Sequence, residues 1–530
     1  MKYKDSLFIL SALCGMPQWG MAQKDKGSDK PLNVVYIMTD DHSYQAISAY
    51  GHPIGKLAPT PNIDRLANEG VLFRRAFVEN SLSTPSRACL MTGLYSHQNG
   101  QRTLGKGIDS TKVFVSELLQ TKGYQTAVIG KWHMQCEPKG FDYYSVLEDQ
   151  GAYYNPEFKT KESHGKYIRE EGYATHLITD HAVEFLEHRN KKKPFALFVH
   201  HKAPHRNWMP EEKYLNLYED VEFPLPETFY DDYKTRCAAA YSQEMEVGRD
   251  LQLIYDLKLN DPDSIGSPDE RAGWEPSVKR MNAGQWKAWE SAYAPRNKAF
   301  NDHPMTGDAL VRWKFQRYMR DYLRCIKSVD DEVGRLVAYL AKNNLLDNTV
   351  IVYTSDQGFY NGEHGWFDKR FMYEESFRTP LIIRYPGKMN AGTTNDELVQ
   401  NIDYAPTFLA IAGVEKPASF VGQSFLPLLK GEKPSDWRKY LYYHYYDYPA
   451  VHQVRRHDGV RDERYKLIHF YGEGFGKDMG NTISCNELYD LQADPNELDN
   501  LYGNPAYKEI ADRLQAQLDR FRVEQKVDEY

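Results

Sequence analysis

The chain has 530 residues, 41% hydrophobic and 26% charged, an ordinary balance for a soluble globular protein, and its length exceeds what one hydrophobic core usually fills, so a large domain plus a smaller one is expected. A net charge of −8 at neutral pH argues against a general affinity for nucleic acid or other polyanions, so an anionic ligand would have to be drawn by a local pocket. Beyond the N-terminal leader, no apolar run approaches the roughly 20 residues that a membrane helix needs.

Lys2 and Lys4 precede a short apolar core, Leu7 to Met16, and Gly20-Met21-Ala22 supplies a small-x-small cleavage site. Residues 1–22 therefore read as a secretory signal peptide, with the mature protein beginning near Gln23 and placed beyond the inner membrane, in the periplasm. Leu13 is too bulky for lipoprotein processing at Cys14. After the leader, short runs rich in β-branched residues alternate with helical patterns, which predicts an α/β fold: a large, mostly parallel sheet sandwiched by helices. Strands are expected at Asn33 to Met38, Gln125 to Ile129, Phe195 to His200, Thr349 to Thr354 and Leu381 to Tyr385. Helices are expected at Val113 to Lys122, His176 to Arg189 and Ile326 to Leu340. In the last of these, Ile326, Val329, Val333, Leu336, Val337 and Leu340 share one face.

From about Asp256 to Thr306 the chain is polar, proline-rich and dotted with tryptophan, and reads as a surface excursion without sustained periodicity. A Leu-Pro-Leu-Leu-Lys-Gly-Glu-Lys-Pro stretch ending at Pro434 breaks the pattern again. The expected division is a main domain over 23–436 and a smaller α+β subdomain over 437–530, in which Tyr442 to Tyr448 reads as a half-buried strand. Leaving Cys14 aside, Cys89, Cys136, Cys237, Cys325 and Cys485 are scattered, odd in number and free of C-x-x-C spacing. Neither a zinc site nor a disulfide framework is indicated, and most read as buried thiols.

Asp40 and Asp41 follow the first expected strand, and Asp356-Gln357-Gly358 follow the strand ending at Thr354. Ligands of open α/β sheets gather at the carboxyl ends of strands, so an acidic pair and an acid–amide pair so placed can converge on one cation. Oxygen ligands suit a hard ion, and several carboxylates favour calcium over magnesium. Helix capping explains either pair alone equally well. Ser83-Thr84-Pro85-Ser86-Arg87 likewise reads as a capped helix start, whose free N–H groups and positive dipole end would face an anion.

Residues 83–93, Ser-Thr-Pro-Ser-Arg-Ala-Cys-Leu-Met-Thr-Gly, closely resemble the signature of type I sulfatases: Cys or Ser, any residue, Pro-Ser-Arg, four variable residues, Thr-Gly. Gly130-Lys131-Trp132-His133, Lys202-Ala203-Pro204-His205 and Lys369-Arg370-Phe371-Met372-Tyr373-Glu374 resemble further elements of that family, in the family's order, over about residues 33–385. The resemblance implies an alkaline phosphatase-like fold and a formylglycine derived from Ser83, whose hydrated aldehyde offers one hydroxyl to attack sulfur and a second to expel sulfate. It implies that Arg87 steadies this nucleophile and that Asp40, Asp41, Asp356 and Gln357, with residue 83 itself, hold a metal ion. Lys131 and Lys369 would hold the sulfate, His133 would assist the second hydroxyl, and His205 would protonate the leaving alcohol. Gln357 stands where asparagine is commoner, and its extra methylene shifts the ligand oxygen. Cys89 falls in the variable stretch and is assigned no chemistry; His200 and His201 lack the motif position and read as supporting or core groups.

The stretches 201–208 and 362–370 resemble bacterial N-acetylglucosamine-6-O-sulfatases that act on host glycosaminoglycans, such as heparin and heparan sulfate, or on mucin glycans. Asp368 and Arg370 flank Lys369 and are placed to hydrogen-bond sugar hydroxyls, and His452 is a further expected sugar contact. The implied partners are a sulfated carbohydrate and an anaerobic sulfatase-maturating enzyme acting on Ser83. A phosphodiesterase or phosphonate hydrolase of the same superfamily could share the signature and the metal pairs, although the elements ending in His133 and His205 favour sulfate. A glycan-binding protein with Ser83 unmodified is a third reading.

Overall fold

The apolar runs form the centre of a mixed sheet in the computed structural model, which describes residues 30–530 apart from Lys106, 260–265, Met389 and 477–478. The expected leader and Cys14 lie outside the described residues. The elements that matter for the site are β1 (Asn33–Thr39), β2 (Val71–Phe77), α1 (Ser83–Thr92), β3 (Gln125–Gly130), β4 (Tyr143–Leu147), α2 (Ala174–His188) and β5 (Phe195–His200). Next come α3 (Pro268–Lys279), α4 (Ala283–Asp302), α5 (Gly307–Lys342), β6 (Thr349–Ser355), β7 (Arg378–Arg384) and α6 (Tyr404–Ala412). The C-terminal part contributes β8 (Leu441–Tyr445), β9 (His457–Arg461), β10 (Tyr465–Gly472), β11 (Ile483–Asp490) and α7 (Lys508–Glu524).

β6, β1, β5, β3 and β4 lie side by side, all parallel. Their alternate residues sort to opposite faces, as the two-residue period requires. Val35, Ile37, Ile129, Leu197 and Ile351 pack under α2 and α5; Val34, Tyr36, Val128, Phe198 and Val352 pack under α1 and α6. Burial on both faces is why these strands read as near-continuous apolar runs.

The sheet is less parallel than expected at its flank: β7 runs antiparallel to both β6 and β2. The chain between β6 and β7 has no helix long enough to carry it back across the sheet, and without such a crossover the next strand returns antiparallel.

Two further expectations are corrected. The stretch from Asp256 to Thr306 is not a featureless excursion but carries α3 and α4. Ser267 caps α3 by accepting from the Glu270 N–H at 3.2 Å, and Asn282 caps α4 by accepting from the Gln285 N–H at 2.9 Å. Pro276 and Pro295 sit inside these helices, so the sequence carries breakers where the structure continues, and the buried face of α4 is made of Trp289 and Tyr293, stacked at 4.3 Å. The helix expected from Ile326 starts at Gly307: its first half continues the apolar stripe through Phe315, Tyr318, Met319, Tyr322 and Leu323, interleaved with buried charge, Asp321 binding Lys258 and Arg324, each at 2.9 Å, and Tyr293 at 2.7 Å.

The C-terminal part is a four-stranded antiparallel sheet in the order β8-β9-β10-β11. β8 is not half-buried, as its alternation suggests, but buried throughout. Tyr442 meets Leu514 and Leu518 of α7 on one face, and Tyr443 meets Phe371 and Phe377 on the other. The cysteines also depart from expectation. Cys237 and Cys485, 248 residues apart, form a disulfide that ties a loop to β11, and a bridge between such distant positions leaves no spacing signature. Cys89 and Cys325 are buried thiols and Cys136 is half-buried.

One contact between α2 and α5 makes stability depend on pH. His176 lies between two carboxylates, Nε2 2.7 Å from Glu211 and Nδ1 2.6 Å from Glu332, so both ring nitrogens donate only in the imidazolium form. Hydrogen bonds to Glu211 and Glu332 raise its pKa from 6.5 to about 9. A raised folded pKa gives stabilisation that is complete below the unfolded value and is lost as pH climbs through the folded one. The urea midpoint of the wild type should therefore fall between pH 6.5 and pH 9.5, by on the order of 1–2 kcal/mol. His176→Gln should flatten that fall; an equal slope in both proteins would place the pH dependence elsewhere.

Candidate active site

β1 and β6 are adjacent and parallel, with Thr39 opposite Ser355, so the residues after each strand emerge side by side. Asp40-Asp41 and Asp356-Gln357 thereby meet at the carboxyl edge of the sheet. Asp40, Asp41, Asp356 and Gln357 are each at most 1% exposed. The Asp41 N–H donates to Asp356 Oδ1 at 3.1 Å, and Gln357 Nε2 donates to Asp41 Oδ1.

Ser83 opens α1 at this edge. It is not the cap its sequence suggests: Leu82 holds the cap position and makes no side-chain cap bond. The Ser83 hydroxyl instead donates to Asp40 Oδ1 at 3.1 Å and lies 3.4 Å from Gln357 Nε2. One turn along, buried Arg87 joins the two acidic pairs to β3. Its Nε and Nη2 donate to Asp356 Oδ2 at 3.2 and 2.9 Å, its Nη1 donates to the Lys131 carbonyl at 2.6 Å, and Nη2 lies 3.8 Å from Asp40.

Lys131, just past β3, places Nζ on Asp40 Oδ2, and Lys369 places Nζ on Asp41 Oδ2 at 2.7 Å. His205 Nδ1 donates to the Arg206 carbonyl at 2.6 Å, which leaves Nε2 facing Asp41 Oδ2 at 3.8 Å. His133 turns Nε2 to Asp149 at 3.1 Å and Nδ1 to the Thr84 hydroxyl at 3.4 Å. All the residues expected at the nucleophile, metal and sulfate positions thus converge on one cluster. His200 and His201 are buried beside it, His200 Nδ1 lying 3.2 Å from the Lys131 carbonyl.

The charges do not settle evenly. Burial, then the neighbouring Asp40, raises Asp356 to about 7, and burial raises Asp41 to about 6. Burial would raise Asp40 too, but Lys131 and the surrounding cations outweigh it and hold Asp40 well below the usual carboxylate range. Burial lowers His133 to about 4 and, with Lys131, takes His205 well below its ordinary range. The carboxylates are short of positive charge even with three cationic side chains present.

That deficit suits a bound cation. Asp40, Asp41 and His205 each bring a ligand atom within 4.8 Å of the other two, and Gln357 Oε1 is buried without a partner. Half a turn of that amide would carry Oε1 to where Nε2 now meets Asp41 and Ser83, completing an oxygen-rich set for a hard ion. The residues present fit a divalent cation.

Ser83, His205 and Lys369 of the cluster line a cleft of about 640 Å³, within the roughly 300–1,000 Å³ typical of small-molecule sites. Asp368, Arg370 and His452 form one stretch of its wall. Asp368 Oδ1 accepts from Arg370 Nε at 3.1 Å, Asp368 Oδ2 lies 3.3 Å from His452 Nε2, and Arg370 Nη1 donates to the Tyr445 hydroxyl at 3.2 Å. His452 Nδ1 donates to the Glu244 carbonyl at 2.6 Å. Pro276 and Ser277 of α3, with Arg280 just past its end, add another stretch.

Some of the surroundings escape the sequence reading. Asp149, Gln150 and Tyr153 come from the loop after β4, and Gln150 Oε1 accepts from Lys131 at 2.5 Å. Lys202, a member of a motif read only for its histidine, is buried over the Tyr153 ring at 4.9 Å and lines the cleft. Arg206 pairs with Asp256 through two bonds of 2.6 and 2.8 Å and reaches His452 at 3.2 Å. The available signal was position: Glu148 to Gly151 follow a parallel strand at the same edge as the motifs.

A family model described as "Sulfatase" matches residues 32–414, and one described as "N-sulphoglucosamine sulphohydrolase, C-terminal" matches 362–524. The chain belongs to the sulfatase family. An N-acetylglucosamine-6-O-sulfatase of Bacteroides thetaiotaomicron is 47% identical over 504 residues, 94% of this sulfatase and 88% of the relative. An N-acetylglucosamine-6-sulfatase of Capra hircus is 26% identical, over 91% and 82% of the two chains. Among solved structures, a protein in complex with its substrate D-glucosamine-2-N,6-O-disulfate superposes with a TM-score of 0.88 at 46% identity, covering 94% of this chain and 99% of that one. A phosphonate monoester hydrolase from Silicibacter pomeroyi shares the fold, with a TM-score of 0.65 at 20% identity over 93% and 96% of the two chains. Sulfatases of this family use a metal and a formylglycine.

Arg87 provides a test of the cluster. Replacing it with methionine leaves a buried carboxylate and a carbonyl without their partner, and removing one side of a buried ion pair costs about 3–5 kcal/mol. Arg87→Met should lose that much in denaturant titration, and Arg87→Lys, which cannot reproduce the fork, should recover only part. A loss under 1 kcal/mol, the scale of a solvated pair, would mean the cluster is solvated in solution.

Proposed function

We propose that this sulfatase removes the 6-O-sulfate of N-acetylglucosamine or glucosamine residues in glycosaminoglycans or mucin glycans. The observation that carries the chemistry is the convergence of Ser83, Lys131, His205 and Lys369 on Asp40 and Asp41, with His133 joined to the same site through Thr84, the residue after Ser83. The substrate assignment is supported by the 47% identical N-acetylglucosamine-6-O-sulfatase and by the close structural neighbour bound to a 6-O-sulfated glucosamine.

In this reading Asp40, Asp41, Asp356, Gln357 and residue 83 would hold Ca²⁺, with Mg²⁺ the alternative, which would supply Lewis-acid polarisation of the sulfate. Formylglycine at position 83 supplies two hydroxyls on one carbon, one to attack sulfur and one to release it. Every other part falls to the chain's own side chains. Arg87 holds the metal-binding carboxylates and the backbone of Lys131 in place. Lys131 and Lys369, which sit on Asp40 and Asp41, are the cations within reach of the sulfate oxygens and would stabilise charge developing there. His205 has its Nδ1–H committed to a carbonyl, so Nε2 is the nitrogen turned to the cleft, and it gives a proton to the departing sugar oxygen from the imidazolium form, in which Nε2 also carries a hydrogen. His133 is neutral, its pKa depressed to about 4 chiefly by burial, and is suited to accept a proton from residue 83. Asp368, Arg370 and His452 bind the sugar, the first two from the main domain (23–436) and the third from the C-terminal subdomain (437–530).

The Cys237–Cys485 bridge belongs to the chemistry of an oxidising compartment, which supports export, by way of the leader, to the periplasm. Serine at position 83 calls for an anaerobic maturating enzyme as partner.

Free sulfate measured from 6-, 4- and 3-sulfated N-acetylhexosamines should appear chiefly from the 6-sulfate; release confined to the 4-sulfate would remove the positional assignment and leave the sulfatase one. Because the fold is shared with a phosphonate hydrolase, phosphate and phosphonate esters belong in the same assay. His205→Ala should slow sugar sulfates by ~10²–10⁴-fold and slow an aryl sulfate, whose leaving group needs no proton, far less. Equal losses on both would remove His205 as the acid.

A further inference from the structure

The loop after β4 touches three of the residues assigned to the reaction, two through their side chains and one through its backbone carbonyl. Asp149 Oδ1 lies 3.1 Å from His133 Nε2, Gln150 accepts from Lys131, and the Tyr153 hydroxyl donates to the His205 carbonyl at 2.6 Å. The backbone here is held in an uncommon form. Asp149 has φ 45° and Gly151 φ 69°, and a Cβ on Gly151 would come within 2.7 Å of Leu147 Cδ1. A left-handed backbone at a non-glycine residue persists only where the surroundings hold it, and such residues cluster at functional sites.

The His133–Asp149 pair is asymmetric: the imidazole is 3% exposed and the carboxylate 66%. A carboxylate that open has water to satisfy it, so its approach to a buried ring contributes little to stability. What it does fix is the ring. A carboxylate only accepts, so Nε2 must carry the hydrogen, and in the neutral ring the lone pair is then on Nδ1. Nδ1 is the nitrogen beside Thr84, the neighbour of Ser83, at 3.4 Å.

We propose that Asp149 is the positioning residue of His133, fixing the tautomer whose Nδ1 lone pair is on the side of Thr84, next in the chain to residue 83, and that Nδ1 is the proton acceptor when sulfate is released. The inference rests on the sulfatase reading. One proton passes from a hydroxyl of residue 83 to Nδ1, Nε2 keeps its own, and the resulting imidazolium is stabilised by the carboxylate at Nε2. The logic is that of an acid orienting a catalytic histidine in a hydrolytic triad, where the amide variant leaves the geometry intact and supports the wrong tautomer.

The test compares wild type with Asp149→Asn, Asp149→Ala and Asp149→Glu on 6-sulfated N-acetylglucosamine. Melting temperature and the mass of the residue-83 peptide are checked in each, so that misfolding and lost maturation are seen separately. Asp149→Asn should lower kcat by at least ~10-fold, a fraction of what a general base contributes, with KM unchanged, and Asp149→Glu should recover part of it. Independently of activity, ¹⁵N spectra of histidine-labelled protein, with the His133 signal identified from a His133→Asn variant, should show an unprotonated Nδ1 in wild type and a protonated Nδ1 in Asp149→Asn. A raised KM at unchanged kcat would make Asp149 a sugar contact and overturn the proposal, as would an unchanged tautomer. A wild type that releases no sulfate would sink the sulfatase reading, while the spectra would still decide whether Asp149 sets the His133 tautomer.

Discussion

Three carboxylates buried at the ends of two neighbouring parallel strands constrain most of what surrounds them. Two like charges about 4 Å apart repel by roughly 4 kcal/mol at an effective dielectric near 20, so Asp40, Asp41 and Asp356 can share one place only if cations come with them. The β1–β6 register puts them there, and three separate segments bring the balance: α1 with Arg87, the end of β3 with Lys131, and the chain between β6 and β7 with Lys369. Each of those segments is held at the carboxyl edge of the sheet by the charge it delivers. A helix that opens on Ser83 is buried along its whole length for the same reason: it lies under the cluster, and Arg87 is the side chain that reaches into it.

Backbone conformation records the same constraint. Asp41, His133, Asp368, Arg370 and His452 all have positive φ, between 50° and 94°, and all five line or floor the same cleft or its cluster. Such conformations cost of order 1–3 kcal/mol each, so the surrounding contacts must over-determine them. At Asp368 the contacts are visible: its carboxylate accepts from the Lys369 N–H and from Arg370, and faces His452. The cleft wall is a closed set of polar side chains that orient one another before any sugar arrives, which lowers the cost of ordering them on binding.

The fold was legible where burial is simple. The central strands, buried on both faces, appeared as apolar runs at nearly their true limits, and the motif residues fell at strand ends because that edge is where an α/β sheet offers free backbone and side chains. It was illegible where polar groups are buried in pairs. In the first half of α5, Asp321 and Arg324, paired with each other and, through Asp321, with Lys258 outside the helix, interrupt the apolar stripe, and α3 and α4 continue through Pro276 and Pro295. The Cys237–Cys485 bridge joins positions no spacing rule connects. At the site, motif residues were readable and their supports were not. Asp149, Gln150 and Arg206 are ordinary surface residue types in a sequence, and only the fold reveals that each ends on a side chain that matters.

His133 and His205 carry opposite tasks in the proposed reaction. Both are buried, and both are depressed by burial and by Lys131. What separates them is the second hydrogen bond. His205 gives its Nδ1–H to the Arg206 carbonyl, so the nitrogen it presents to the cleft is Nε2, facing Asp41. His133 gives Nε2–H to a carboxylate and presents Nδ1. Each ring also meets a carboxylate, but in different surroundings: His205 Nε2 faces Asp41 inside the buried cluster at 3.8 Å, whereas His133 Nε2 meets Asp149, which is open to water. Which nitrogen each histidine presents is therefore set by the loop after β4 and by the turn at Arg206.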